Sequence, residues 1–222
     1  YMDCRIYSTP NLKHSYKVEV EGTTSSNYYG INAAVGYQNR NLFRGVELFD
    51  ISLRGGYEFM RVTGQTGAFE IGGRTSVTFP RFITPIKVDR YNRLGNPRTK
   101  IEMSYNIQRR PSYRRALSGV NWGYSWTNKR RSSFTFRPID INYVDVWNIT
   151  QDFYEEHLKN NKYLANSYEE QLIIGMSGSY VYNSQMNRSD AGKSFLLRFN
   201  WETAGNTMYG LSNLFDEKKY LD

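Results

Sequence analysis

Residues 29–58 read YGINAAVGYQNRNLFRGVELFDISLRGGYE, and apolar and polar residues alternate through both halves of this stretch. The alternating apolar positions are Tyr29, Ile31, Ala33, Val35 and Tyr37 in the first half, and Phe49, Ile51, Leu53, Tyr57 and, just beyond the stretch, Phe59 in the second. A period of two places alternate side chains on opposite faces of a β-strand. Asn39 to Glu47, between the halves, has the Asn, Arg and Gly composition of a turn. The stretch therefore predicts an antiparallel hairpin of two long strands with one apolar and one polar face.

The same alternation recurs along the chain and predicts about nine strands of roughly ten residues. It precedes the hairpin in Tyr16–Gly22, where a Gly-Thr-Thr-Ser-Ser turn is expected to end the strand. It follows the hairpin in segments that begin near Phe69, Lys100, Ala116, Phe134, Leu172 and Phe195. A proline- and charge-rich connection is expected from Arg81 to Pro97, and a β-bulge at Pro138, where the apolar phase slips. Gln151–Glu170 carries acidic residues early and lysines late, which predicts a helical insert in one loop.

Composition limits the class of protein. The chain has 222 residues, of which 39% are hydrophobic, and no apolar run approaches the roughly 20 residues of a membrane-spanning helix. Aromatic residues make up 16% of the chain, including 19 tyrosines. Such a content suits the aromatic girdles of a transmembrane barrel or a base-stacking surface. The net charge of +8 favours an anionic neighbour, whether lipid phosphate, nucleic acid or an acidic partner.

The face opposite the apolar residues is rich in Gly, Ser, Asn and charges of both signs. The charged positions on it are Lys17, Glu19, Asp50, Arg54, Glu70, Arg74, Lys100, Glu102, Arg198 and Glu202. Mixed charge suits a wet lumen better than the exterior of a sandwich. The sequence therefore predicts an antiparallel transmembrane β-barrel. Because single-chain bacterial barrels have an even strand number, an odd count indicates a fragment of a larger barrel.

Motifs for catalysis or metal binding are weak. Ala191–Ser194 reads AGKS, but the glycine that a phosphate loop requires five positions before Gly192 is Asn187. The two histidines, His14 and His157, are expected in different loops, which argues against a metal site and a Ser/His/Asp triad. The single Cys4 excludes an internal disulfide framework. The sequence predicts a protein that is not an enzyme and needs no cofactor.

Basic clusters beside aromatic residues leave a second interpretation open. They are Arg109-Arg110 with Arg114-Arg115, and Lys129-Arg130-Arg131. Such clusters are typical of nucleic-acid binding, but both fall at strand ends, whereas a stacking platform would carry them on a strand face. Charge at the rims of a barrel, near lipid phosphate, is therefore the favoured interpretation, and no nucleic-acid partner is expected.

Four further motifs stand out: Gly36–Glu47 (GYQNRNLFRGVE), Val18–Thr24 (VEVEGTT), Phe79–Phe82 (FPRF) and Trp201–Asn206 (WETAGN). In these motifs the sequence resembles the BamA/TamA family of outer-membrane insertase barrels, which includes surface-antigen members. The first of these motifs resembles the family's turn between the second and third barrel strands, and the second resembles its first barrel strand. The third resembles the end of its fourth strand, and the fourth resembles a segment of surface-antigen members. The turn motif comprises Asn39, Asn41, Leu42, Phe43, Arg44 and Gly45.

This resemblance implies an N-terminal half of a barrel that inserts outer-membrane proteins in a Gram-negative bacterium. Residues 1–10 would end a preceding periplasmic POTRA-like domain, and residues 11–222 would form the N-terminal part of the barrel. The first strand would pair with strands of unfolded client proteins through Tyr16, Lys17, Val18, Glu19, Val20, Glu21 and Gly22. Further expected partners are outer-membrane lipid, lipopolysaccharide and accessory assembly subunits. A passive porin or ligand-uptake barrel stays open as an alternative, and a soluble basic β domain that binds nucleic acid as a weaker one.

Overall fold

The structure, a computed structural model, describes residues 12–25, 28–60, 67–84, 95–128, 131–184 and 195–204. These residues form one antiparallel sheet of nine strands. The strands are β1 (His14–Thr24), β2 (Tyr28–Asn39), β3 (Leu48–Met60), β4 (Ala68–Phe79), β5 (Gly95–Arg109), β6 (Arg114–Asn128), β7 (Ser132–Trp147), β8 (Gln171–Asn183) and β9 (Leu196–Ala204). The all-β prediction and the predicted number of strands are confirmed. The expected end of a POTRA-like domain, residues 1–10, lies outside the described residues.

Each strand pairs with the next one along the chain, in the order β1 to β9. The predicted hairpin is confirmed as β2 and β3, with Tyr29 opposite Phe59 and Val35 opposite Leu53. Within the described residues β1 and β9 do not pair with each other, so that part of the sheet is open. Its two edges are β1 and β9.

The register places the alternating apolar residues of all nine strands on one face. Across β1 to β4, for example, Val18 lies opposite Val35, Val35 opposite Leu53, and Leu53 opposite Gly73. The residues between them line a trough of about 560 Å³ on the other face, bounded by side chains from β1 through β7. The polar face is therefore concave and the apolar face convex.

The expected irregularity at Pro138 is confirmed. The β6–β7 register shifts between Trp122, which lies opposite Ile139, and Tyr124, which lies opposite Phe136. The β7–β8 register shifts at the same place, between Arg137 and Asp140. The one extra residue of β7 returns its apolar side chains to the convex face.

Two predicted boundaries are wrong. The first strand continues through Gly22 to Thr24, because its last residues stay in register with β2 as far as Tyr29. The connection expected to reach Pro97 ends earlier, since β5 begins at Gly95. Proline is accommodated there because the β5–β6 register is irregular between Gly95 and Arg98.

The insert between β7 and β8 is helical but not one helix, which corrects the prediction for Gln151–Glu170. It consists of α1 (Gln151–Phe153), a π-helical turn (Tyr154–Leu158) and α2 (Lys162–Asn166). The Asn161 side chain accepts a hydrogen bond from the Leu164 N–H at 3.1 Å and caps α2, which starts a new helix. The local packing expected of Leu158 and Tyr168 is confirmed, whereas Tyr154 is exposed. Leu158 is 3% exposed, and Tyr168 contacts the Tyr113 ring at 5.1 Å.

Candidate functional site

The predicted strand-pairing edge lies on β1, at one edge of the described sheet. Tyr16, Val18 and Val20 are strongly exposed on the convex face. Lys17 and Glu19 are exposed on the concave face and form an ion pair at 2.5 Å. The strand therefore presents one apolar and one charged row of side chains.

Two hydrogen bonds define the direction of the main-chain groups of β1. The Arg40 N–H donates to the Lys13 carbonyl at 2.9 Å, and the Ser25 N–H donates to the Tyr28 carbonyl at 2.9 Å. Hydrogen-bonded and non-hydrogen-bonded pairs alternate in an antiparallel ladder, so the odd-numbered residues of β1 bond to β2. The N–H and C=O groups of the even-numbered residues from 16 to 22 therefore point away from β2, along the edge.

The start of β1 is held on β2 by aromatic contacts. The His14 Nδ1 and the Tyr37 hydroxyl share a hydrogen bond of 2.8 Å, and the Tyr16 and Tyr37 rings lie 5.2 Å apart. His14 is thus a strand residue, which corrects its expected place in a loop. These contacts use β2 alone, and no other strand of the described residues pairs with the outer edge of β1.

The predicted motif turn joins β2 to β3 and is built from side-chain hydrogen bonds to the backbone. Asn39, the last residue of β2, is buried, and its Oδ1 accepts from the Asn41 N–H at 3.1 Å. The Asn41 Oδ1 in turn accepts from the Val46 N–H at 3.1 Å. Asparagine is favoured in turns because its short side chain can bond nearby backbone groups in this way.

Glu47 is the centre of this turn, although the predicted motif ended at Gly45. Its side chain is buried, and Oε2 accepts from the Gly45 N–H at 2.9 Å and the Phe43 N–H at 3.2 Å. Burial by itself would raise the pKa of Glu47, but the backbone hydrogen bonds and the nearby Arg81 lower that pKa below the ordinary 4.5. A Cβ at Gly45 would collide with the Glu47 carboxylate, so a larger residue there would displace this side chain from its present position.

The turn holds two non-glycine residues with left-handed backbone angles. Arg44 has φ of 66° and Val46 has φ of 64°. The second is costly because valine is β-branched. Leu42 closes the turn by donating its N–H to the Glu47 carbonyl at 3.2 Å, and Phe43 and Val46 are exposed at the tip. The sequence motif therefore encodes one fixed backbone shape.

Charged and amide side chains on the concave face bond mostly across strands. The polar pairs include Arg110–Glu58 at 2.6 Å, Asn106–Glu70 and Gln108–Glu70 at 2.7 Å, Lys100–Glu102 at 2.6 Å and Arg74–Glu102 at 3.6 Å. This face is therefore polar, and many of its charged groups are paired with one another.

Aromatic contacts concentrate near the two ends of the sheet. At the end that carries the β2–β3 turn, the ring pairs include Tyr37–Phe49, Phe82–Tyr124, Phe82–Trp126, Trp126–Phe134 and Phe134–Tyr180. At the other end they include Tyr57–Phe59, Tyr113–Phe153 and Tyr113–Tyr168. The two aromatic zones leave mostly aliphatic residues between them on the convex face.

Other chemistry does not assemble in the described part of the chain. His14 lies in β1, whereas His157 lies in the insert after β7. The residues that the structure describes hold no group of three or more His, Cys, Asp or Glu side chains placed to bind a metal ion. None of their helices has the length and apolarity needed to cross a membrane. Ala191–Ser194 lies outside the described residues.

Comparisons of the chain with protein-family models, with curated proteins and with solved structures gave no match. In the described residues the fold is one antiparallel sheet of nine strands with an exposed convex apolar face.

Proposed function

We propose that these nine strands are part of a transmembrane β-barrel of the bacterial outer membrane, and that this barrel inserts other outer-membrane proteins. The observation that carries the membrane part is the convex face. Val18, Val35 and Leu53 lie side by side across three strands and are 70%, 52% and 60% exposed. A sheet in water buries such a face against a second layer, whereas lipid solvates it directly.

The insertion part of the proposal rests on the β1 edge. An exposed edge adds a further strand through main-chain hydrogen bonds, and alternate side chains select the register. On β1 the even-numbered residues from 16 to 22 offer these bonds, while Lys17, Glu19 and Glu21 keep the concave side charged. A client strand that pairs here would turn its apolar side chains toward lipid and its polar side chains toward the trough.

The pairing geometry predicts which cysteines crosslink. Relative to an antiparallel client strand, Lys17, Glu19 and Glu21 occupy non-hydrogen-bonded positions, where opposite Cα atoms lie only about 4.5 Å apart. Each of these cysteines in the full-length protein should form a disulfide with one preferred position of a cysteine-scanned client strand, and the three preferred positions should lie two residues apart. Moving the β1 cysteine two residues forward should move the preferred client position two residues back. A cysteine at Arg54 is the matched control, because β3 is paired on both sides.

The outcome of this experiment separates the alternatives. Crosslinks that are absent from β1 but strong elsewhere on the barrel would exclude this edge as the docking site. A steady open conductance in planar bilayers without client crosslinks would instead favour a passive porin. A protein that stays monodisperse in buffer without detergent would contradict the membrane proposal.

A further inference from the structure

Four arginines flank the turn between β5 and β6, and the two on the concave face have partners. Arg110 donates to the Glu58 carboxylate at 2.6 Å, and Arg115 donates to the Gln108 side-chain oxygen at 2.7 Å. These two side chains belong to the polar network that crosses the concave face.

The other two arginines, Arg109 and Arg114, lie on the convex apolar face. Each is two residues from an apolar position of that face, since Arg109 follows Ile107 and Arg114 precedes Ala116. Ile107 lies opposite Ala116, and Arg109 lies opposite Arg114. The two arginines thus end a column of apolar side chains at the rim of the sheet.

The backbone brings Arg109 and Arg114 close together. The Arg110 N–H donates to the Tyr113 carbonyl at 2.9 Å, which makes that pair hydrogen-bonded and the Arg109–Arg114 pair non-hydrogen-bonded. Cβ atoms of directly opposite residues lie about 4.5–5.5 Å apart, and like charges in that position destabilise the pair.

Nothing in the described residues offsets this repulsion through an ion pair. Neither Arg109 nor Arg114 takes part in any ion pair among the residues that the structure describes. The acidic residue nearest in register on the same face is Asp145, which lies opposite Ala116 and forms no ion pair in that part of the chain. An aromatic residue lies beside each arginine, because Phe69 is opposite Arg109 and Trp147 is opposite Arg114. Two guanidinium groups that have no ion-pair partner among the described residues, above an apolar column, fit an amphiphile with an anionic head.

We propose that Arg109 and Arg114 together bind a phosphate group of lipopolysaccharide whose acyl chains lie along the convex face. The inference rests on the proposed function and on the orientation that the family resemblance implies: with a periplasmic amino end, strand order places this rim at the outer leaflet. Guanidinium groups bind phosphate through two parallel hydrogen bonds, and a phosphate between them would replace the repulsion by attraction.

The test measures the melting temperature of the full-length protein in zwitterionic detergent. The melting temperature is compared between samples without any addition and samples with purified lipopolysaccharide, with dephosphorylated lipopolysaccharide or with inorganic phosphate. We expect only intact lipopolysaccharide to raise the melting temperature, and the double variant Arg109→Gln/Arg114→Gln to lose most of that rise. The matched control Arg54→Gln/Arg74→Gln removes the same charge from the concave face and should keep it. Without lipid the double variant should be at least as stable as the wild type, because it removes a like-charge pair.

Several results would overturn the proposal. It fails if the double variant keeps the rise, or if inorganic phosphate or dephosphorylated lipopolysaccharide raises the melting temperature as much as the intact lipid. It also fails if Asp145→Asn and the double variant both destabilise the protein without lipid, since the arginines would then be compensated within the sheet. Heat-dependent migration on denaturing gels reports barrel formation in the same samples. Its absence in the wild type would defeat the barrel proposal and this inference together, whereas a barrel without the lipid-dependent rise would defeat this inference alone.

Discussion

Adjacent residues of β2 allow a direct test of which face meets lipid. Val35 lies on the convex face between Val18 and Leu53, and Ala34 lies on the concave face between Glu19 and Arg54. The same substitution, to arginine, can be made at both positions in the full-length protein. The two variants then differ in face and not in strand, depth or added charge.

The expected magnitudes follow from the surroundings of each side chain. Val35 is 52% exposed, so in water its replacement would forfeit only about half of the ~1.5–3 kcal/mol that full burial of such a side chain contributes. In the middle of a bilayer the same Val35→Arg change should cost about 2–4 kcal/mol. Ala34→Arg places its guanidinium near Glu19 and Arg54 on the open side of the trough, where exposed ion pairs contribute about 0–1 kcal/mol.

Urea titrations of folding into lipid vesicles, followed by heat-dependent gel migration, measure both free energies. We expect Val35→Arg to be the more destabilising by at least about 1 kcal/mol, given the contrast between the two faces. Equal costs, or a larger cost for Ala34→Arg, would refute the assignment of the convex face to lipid.

Three further predictions concern the turn, the concave face and the insert. Because its pKa is lowered, the Glu47 carboxylate should stabilise the turn at neutral pH and lose that effect as the pH falls through its folded pKa. At neutral pH, Glu47→Gln should speed hydrogen exchange of the Phe43 and Gly45 amides, whereas the control Glu21→Gln should not. A Cβ at Gly72 would lie 3.1 Å from the side-chain nitrogen of Asn106 in β5, whereas a Cβ at Gly22 would meet nothing within 4 Å. In the same urea titration, Gly72→Val should therefore lower the free energy of unfolding by about 1–3 kcal/mol, and Gly22→Val by much less. With a periplasmic amino end, strand order places the β7–β8 insert outside the cell, so protease added to intact cells should cut first within residues 151–170. Cleavage that requires a ruptured outer membrane would reverse this orientation.

The strands could be predicted from the sequence because their signal is local. Alternation in Tyr29–Tyr37 and Phe49–Phe59 has a single structural meaning, and Pro138 marks the bulge where the phase changes. The end of β1 was mispredicted because Gly22-Thr23-Thr24 has a turn-like glycine, although β-branched threonine favours strands. Pairing with β2 decided the outcome.

The turn shows what local patterns miss. The sequence predicts a turn over Asn39–Glu47, but the role of Glu47 within it depends on a buried carboxylate that reaches back two to four residues to backbone N–H groups. A glutamate two residues after the glycine was the available signal. The broken insert is similar, because the continuous charge pattern of 151–170 does not reveal that Asn161 caps a second helix.

The scarcity of buried apolar side chains gives the β1 edge its significance. The buried apolar residues of the described part are Ala68, Ala116 and Leu158, so packing in a core contributes little there. In water a ladder hydrogen bond adds only about 0.5–1.5 kcal/mol net, since each group can bond to water instead. In hydrocarbon an unpaired main-chain group costs several kcal/mol, so in the proposed setting the outward-pointing groups of residues 16–22 are the most costly feature of an open seam. Any strand with an apolar outer face relieves that cost, whatever its sequence. We therefore expect the edge to select clients by strand geometry and alternation, and not by a sequence motif.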